Sequence, residues 1–98
     1  MIELPLHPVD HKLDTLPQHF KRVATGEKNF EIRKGDRDYQ KGDKVMLEEL
    51  SEASAGISIN GVSAKTGRTI GATIGYVTAF GQVEGYVVFS LLNVCTHE

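Results

Sequence analysis

The sequence predicts an α+β domain, mainly β, folded as a small and partly closed barrel with one early helix. Three observations carry that expectation. Leu16, Phe20 and Val23 recur at i, i+4 and i+7, which is one face of a helix. After that helix come several short segments rich in β-branched and aromatic residues, bounded by glycines and charged turns. The chain has 98 residues, 40% of them hydrophobic, enough for a single core, so residues 1–98 read as one domain. Many short strands with one helix favour a sheet that curls toward closure.

The elements follow in order. Residues 1–10 carry Pro5 and Pro8 and read as an extended lead, and Lys12-Leu13 suggests a brief strand. Asp14 or Thr15 can cap free backbone N–H groups, and Pro17 suits a first helical turn. The helix is expected over 16–25, with Gly26 able to take the left-handed conformation that stops it. An alternating strand is expected over 29–34, then a charged connection over 35–42. Residues 44–50 alternate around Val45 and Leu47 and read as a second strand. Residues 51–67 are rich in Ser, Ala and Gly. Asn60-Gly61 in that segment is a strong hairpin-turn signal, flanked by Ile57, Ile59 and Val62, so a flexible loop or a small excursion hairpin is expected. Residues 68–80 read as a strand, with Gly71 and Gly75 as bends or bulges. Residues 86–94 form an apolar run of strand length, expected at the centre of the sheet. The core is expected to contain Phe20, Phe30, Ile32, Val45, Leu47, Val87 and Phe89.

The formal net charge of −2 hides an asymmetry. Between Lys21 and Lys44 eight basic residues face five acids, whereas the rest of the chain has three basic residues and eight acids. That is too few cations for strong non-specific binding to nucleic acid, which depends on many phosphate contacts. It is enough for a local anionic contact beside a specific pocket. No apolar run approaches the roughly 20 residues needed to span a membrane. Cys95 is the only cysteine, which excludes an internal disulfide, and the N-terminal residues lack the pattern of a signal peptide. A cytoplasmic protein is expected.

The most informative stretch is Gly26-Glu27-Lys28-Asn29-Phe30-Glu31-Ile32-Arg33, of the form G-x-K-x-x-E-x-R, with Asp36 and Arg37 close behind. In a strand, successive side chains point to opposite faces. Phe30 and Ile32 are therefore expected to face the core, with Glu31 and Arg33 together on the other face and Lys28 at the turn before them. Cation, anion and cation then converge, which suits a polar, planar, hydrogen-bonding ligand. Lys28 can donate to a phosphate or a base carbonyl, or carry a proton if burial lowers its pKa. Glu31 can accept from an exocyclic amino group or act as general base. Arg33 can make bidentate contacts. Asp36 and Arg37 read first as a turn-stabilising pair and second as ligand contacts. Tyr39, Tyr76 and Tyr86 can stack on a base or fill the core. No metal site is expected: His7 and His11, and Cys95 and His97, lack the usual ligand number and spacing. No cofactor is expected either, since no phosphate-binding glycine loop or dinucleotide fingerprint is present.

Gly26, Lys28, Glu31 and Arg33 resemble the signature of the ASCH domain, a branch of the PUA-like superfamily. His11-Lys12-Leu13, Phe20, Gly42-Asp43, Thr66-Gly67-Arg68 and Glu84-Gly85-Tyr86-Val87-Val88 extend the likeness over roughly 10–93. The chain is similar to a small ASCH-like family of bacteria and their phages, in which asparagine is more common where this chain has Gly35. The resemblance implies a PUA-like barrel with a ligand cleft beside the early helix and the motif strand. Three functions follow as expectations. The first is a module that binds RNA, a nucleotide or a modified nucleobase through Lys28, Glu31 and Arg33, with Asp36 and Arg37 nearby. The second is an enzyme, since some ASCH-like proteins are similar to nucleoside amidohydrolases or ribonucleases. Lys28 would then act with Glu31 or Glu84, although Glu31 stands where that branch has a threonine. The third is a phage or mobile-element regulator that binds a host protein through residues 51–67.

Overall fold

A computed structural model describes residues 9–52 and 64–97. The elements are β1 (His11–Thr15), α1 (Pro17–Ala24), β2 (Phe30–Lys34), β3 (Lys44–Leu50), β4 (Lys65–Thr78) and β5 (Tyr86–His97). They build one five-stranded sheet in the order β1-β3-β4-β5-β2, curled into a half-barrel with α1 as its one short helix. β1 runs parallel to β3, and the other neighbours are antiparallel. The mainly β fold matches the sequence expectation. The signals at Asn60-Gly61 and at Ile57, Ile59 and Val62 lie outside the described residues, as do Pro5 and Pro8.

The helix spans 17–24, within the expected range. Phe20 and Val23 point into the core, and Gly26 follows with φ +83°. Its start differs from expectation. Leu16, not Asp14 or Thr15, stands at the cap position, and no side chain caps it. Thr15 belongs to β1 instead, and its hydroxyl donates to the Leu13 carbonyl. Gly71 and Gly75 fall where the β4–β5 register shifts, as bulges require. A Cβ on Gly75 would come within 2.5 Å of Ser90 Oγ, so a larger residue would displace the hydroxyl that accepts from the Tyr76 N–H. β5 is an interior strand between β4 and β2, but the middle position belongs to β4, because β1 adds beyond β3 on the far side.

Phe20, Val45, Leu47 and Phe89 are buried as expected, joined by Leu13, Val23, Tyr39, Ile70, Ile74 and Leu91, with Val87 packed against them. Phe30 and Ile32 correct the expectation: they are 39% and 51% exposed, while Glu31 is 2% exposed. The register explains the inversion. Directly opposed residues in an antiparallel pair share a face. Glu31 is paired with Phe89 and Arg33 with Val87, whose side chains pack in the core, whereas Phe30 and Ile32 oppose Ser90 and Val88. The large apolar side chains of β5 fix the register, and the charged face of β2 is carried inward. Alternation in the sequence identified the two faces of β2 but not which of them turned in.

Candidate functional site

An inward glutamate needs partners, and the chain supplies them from two sides. Glu31 Oε1 accepts Arg33 Nε–H at 3.0 Å and lies 2.9 Å from Arg33 Nη2. The same guanidinium donates from Nη1 to the Asp14 carbonyl at 2.9 Å and from Nη2 to Thr15 Oγ1 at 3.2 Å. β1 and β2 are the two outer strands of the sheet. Arg33 is thus a clasp across the seam of the half-barrel, holding its two edges together.

The other Glu31 oxygen is treated differently. Oε2 is buried and accepts no hydrogen bond. Lys28 Nζ stands 3.4 Å away as an ion-pair neighbour, but off the hydrogen-bonding direction. Lys28 is held there by its backbone: its N–H donates to the Arg22 carbonyl at 2.9 Å, wrapping the chain over the end of α1 after Gly26. Its ammonium also lies 5.5 Å from the centroid of the Phe30 ring. An unsatisfied buried acceptor costs about 1–3 kcal/mol, and the residue that carries it lines a cleft.

That cleft has a volume of about 750 Å³ and lies along the seam. Glu31, Arg33 and Lys28 form its polar wall, Leu16, Phe30, Ile32 and Tyr86 its apolar surface, and His19 and Arg22 of α1 its rim. Burial, and then the charge of Lys28, holds the His19 pKa below the ordinary histidine value. The structure therefore brings Lys28, Glu31 and Arg33 together, as the motif spacing anticipated. It does not bring Asp36, Arg37 or Glu84 to this cleft, and all three are exposed on the surface. Among the tyrosines, Tyr86 lines the cleft and Tyr76 is exposed. Tyr39 is buried between His11 and Phe89, with ring centroids 4.6 and 4.9 Å away.

Sequence reasoning missed His19 and Arg22 at the rim and Thr15 on the clasp. The i, i+3 spacing of His19 and Arg22 on an expected helix was the available signal. It also missed a second buried carboxylate. Glu49 continues the inward alternation of Val45 and Leu47, is 6% exposed, and accepts from Arg68 Nε at 2.7 Å and from Thr66 Oγ1 at 2.8 Å. It lines another cavity of about 1010 Å³ against α1, with Arg22 and Glu27 shared between the two. Among the described residues no group of three or more His, Cys, Asp or Glu side chains could hold a metal ion. Nor, among them, is any helix long and apolar enough to cross a membrane.

The fold and site define a small, mainly β domain with a seam cleft walled by a partly satisfied carboxylate. The chain belongs to the family described as "Domain of unknown function (DUF3850)", which it matches over residues 10–91. No curated protein matches it.

Proposed function

We propose that the seam cleft binds RNA, a nucleotide or a modified nucleobase, with Lys28, Glu31 and Arg33 as the recognition residues. The observation that supports this most is Glu31 Oε2, a buried acceptor without a hydrogen-bond donor, beside an ammonium. A ligand edge that offers an N–H donor to Oε2 and an adjacent acceptor to Lys28 Nζ satisfies both. Amide and amidine edges of nucleobases have that pattern, and single-stranded RNA is commonly read by such edges together with stacking. Phe30 and Tyr86 supply apolar and aromatic surface at the same cleft. The resemblance of the Gly26–Arg33 motif to the ASCH signature points the same way. The test is a titration of the protein with nucleosides, 5′-mononucleotides and short single-stranded RNAs. Binding that is lost in Lys28→Ala, by about 1–3 kcal/mol as for other hydrogen bonds to charged groups, is the expected result. Binding unaffected by that substitution counts against the reading.

A further inference from the structure

The cleft has two chemically different zones. Its floor is the Glu31–Arg33 pair, mutually neutralised and pinned to β1. Its α1 side carries His19 and Arg22, one helical turn apart, with Lys28 wrapped over the helix end beside them. Neither rim residue is committed to a strong partner. Arg22 Nε is 3.8 Å from Glu27, in a pair of exposed side chains, and its Nη1 donates only to the Gln18 carbonyl within its own helix. The His19 side chain has no hydrogen bond or ion pair among the described residues; its backbone N–H donates to the Leu16 carbonyl. Leu16, Phe30, Ile32 and Tyr86 add apolar lining to the same cleft.

Resting on the reading just proposed, we infer that His19, Arg22 and Lys28 form a phosphate subsite, so that the cleft selects a phosphorylated nucleoside over a free one. Arg22 and Lys28 donate to the phosphate oxygens, and protonated His19 adds a third donor. Such charge-assisted bonds are about twice as strong as neutral ones.

Burial first, and then the charges facing His19, set the pH behaviour. Lys28 and Arg22 disfavour its protonation, and so does Arg33 of β2. Glu31 favours it. Asp14 of β1 and Glu27 line the same cleft with negative charge, and Lys34 with positive. A bound phosphate anion reverses the balance, so binding takes up a proton at His19. Affinity for the phosphorylated ligand therefore rises as pH falls through the histidine range.

The experiment compares the common nucleosides, their 5′-monophosphates and the corresponding dinucleoside monophosphates by calorimetry between pH 5.5 and 8. The dinucleoside phosphodiester does not titrate in this range, so its pH dependence belongs to the protein. The expected result is at least tenfold tighter binding of a phosphorylated ligand than of its nucleoside at pH 6, shrinking toward pH 8. Arg22→Gln and His19→Gln should each remove most of that ratio without changing nucleoside affinity or melting temperature, and His19→Gln should also flatten the pH profile. Tighter binding of monophosphate than of phosphodiester points to a free or terminal nucleotide, and the reverse to an internal position in a strand. Either order supports the subsite. Nucleosides and nucleotides binding equally, or a ratio unchanged by both substitutions, overturns the subsite and leaves the nucleobase cleft standing. No binding by any of these ligands overturns both.

Discussion

Glu31 and Glu49 are both buried carboxylates on inward faces of the same curled sheet, yet they are treated in opposite ways. Glu49 gives one oxygen to Arg68 and Thr66, and Arg68 is itself 54% exposed, so the group sits at the edge of solvent. Glu31 gives one oxygen to Arg33, a guanidinium only 22% exposed and spent on closing the seam, and keeps the other without a hydrogen bond. The Glu49 oxygen has three donor groups on it, from Thr66 and from two nitrogens of Arg68. Glu31 holds a buried oxygen that has only the Lys28 ammonium at 3.4 Å and no hydrogen bond, which is why the proposed ligand is placed there.

The largest effect that separates the two regions is on stability. Arg33→Ala leaves Glu31 buried without its partner and releases the bonds to Asp14 and Thr15. Removing one member of a buried pair costs about 3–5 kcal/mol, and chemical denaturation should show that loss. Replacing both partners, as in Glu31→Leu with Arg33→Met, should recover most of it, because desolvation is then no longer opposed. Arg68→Ala removes a guanidinium that is half exposed and leaves Thr66 on the same Glu49 oxygen, so it should cost less than Arg33→Ala. Equal losses at the two sites would remove the distinction.

A smaller effect concerns the outward face of β2. Ile32→Ser should lower stability by less than about 1 kcal/mol, as expected of an exposed position. A loss in the range of a core truncation, about 2–5 kcal/mol, would mean that Ile32 is buried and that the register with β5 is wrong.

The fold was legible where residue type and period agreed. Val45 and Leu47, the Leu16–Val23 periodicity and the glycine bulges of β4 all read directly from the chain. β2 was half legible. Its alternation showed that Glu31 and Arg33 share a face with Lys28 nearby, but apolar residues were assigned inward by default. The partner strand decided otherwise, because Phe89 and Val87 had to enter the core and Glu31 and Arg33 stand opposite them. Long-range pairing of this kind leaves no local trace in the sequence. The Arg33 clasp was hidden for the same reason, since it joins residues 18 and 19 positions apart.

The smallest expected effect lies at the far end of β1. His11 Nε2 is 2.8 Å from Asp43 Oδ2, and Asp43 also accepts from the Gln40 backbone N–H. The hydrogen bond from His11, chiefly, holds the Asp43 carboxyl below the usual aspartate pKa, against a smaller opposing effect of burial. A depressed carboxyl pKa stabilises the fold above the unfolded value, about 3.9, and that contribution is lost as pH falls through the lower folded value. Thermal melts below about pH 4 should show a steeper decline for the native chain than for Asp43→Asn. Identical acid profiles would mean that this pair contributes nothing.

The open oxygen of Glu31 is tested most directly by Glu31→Gln. Arg33 donates two N–H groups toward Oε1, so the amide oxygen takes that position and the NH₂ group replaces Oε2. The substitution keeps the shape and the clasp but turns the acceptor facing the ligand into a donor. Nucleosides, mononucleotides and short single-stranded RNAs titrated into both proteins, followed by amide NMR shifts, should give saturable shifts at Lys28, Phe30 and Glu31 in the native chain. In Glu31→Gln the affinity of the folded protein should fall at least about tenfold, equivalent to about 1.4 kcal/mol. Binding of equal strength in the two proteins would contradict the account.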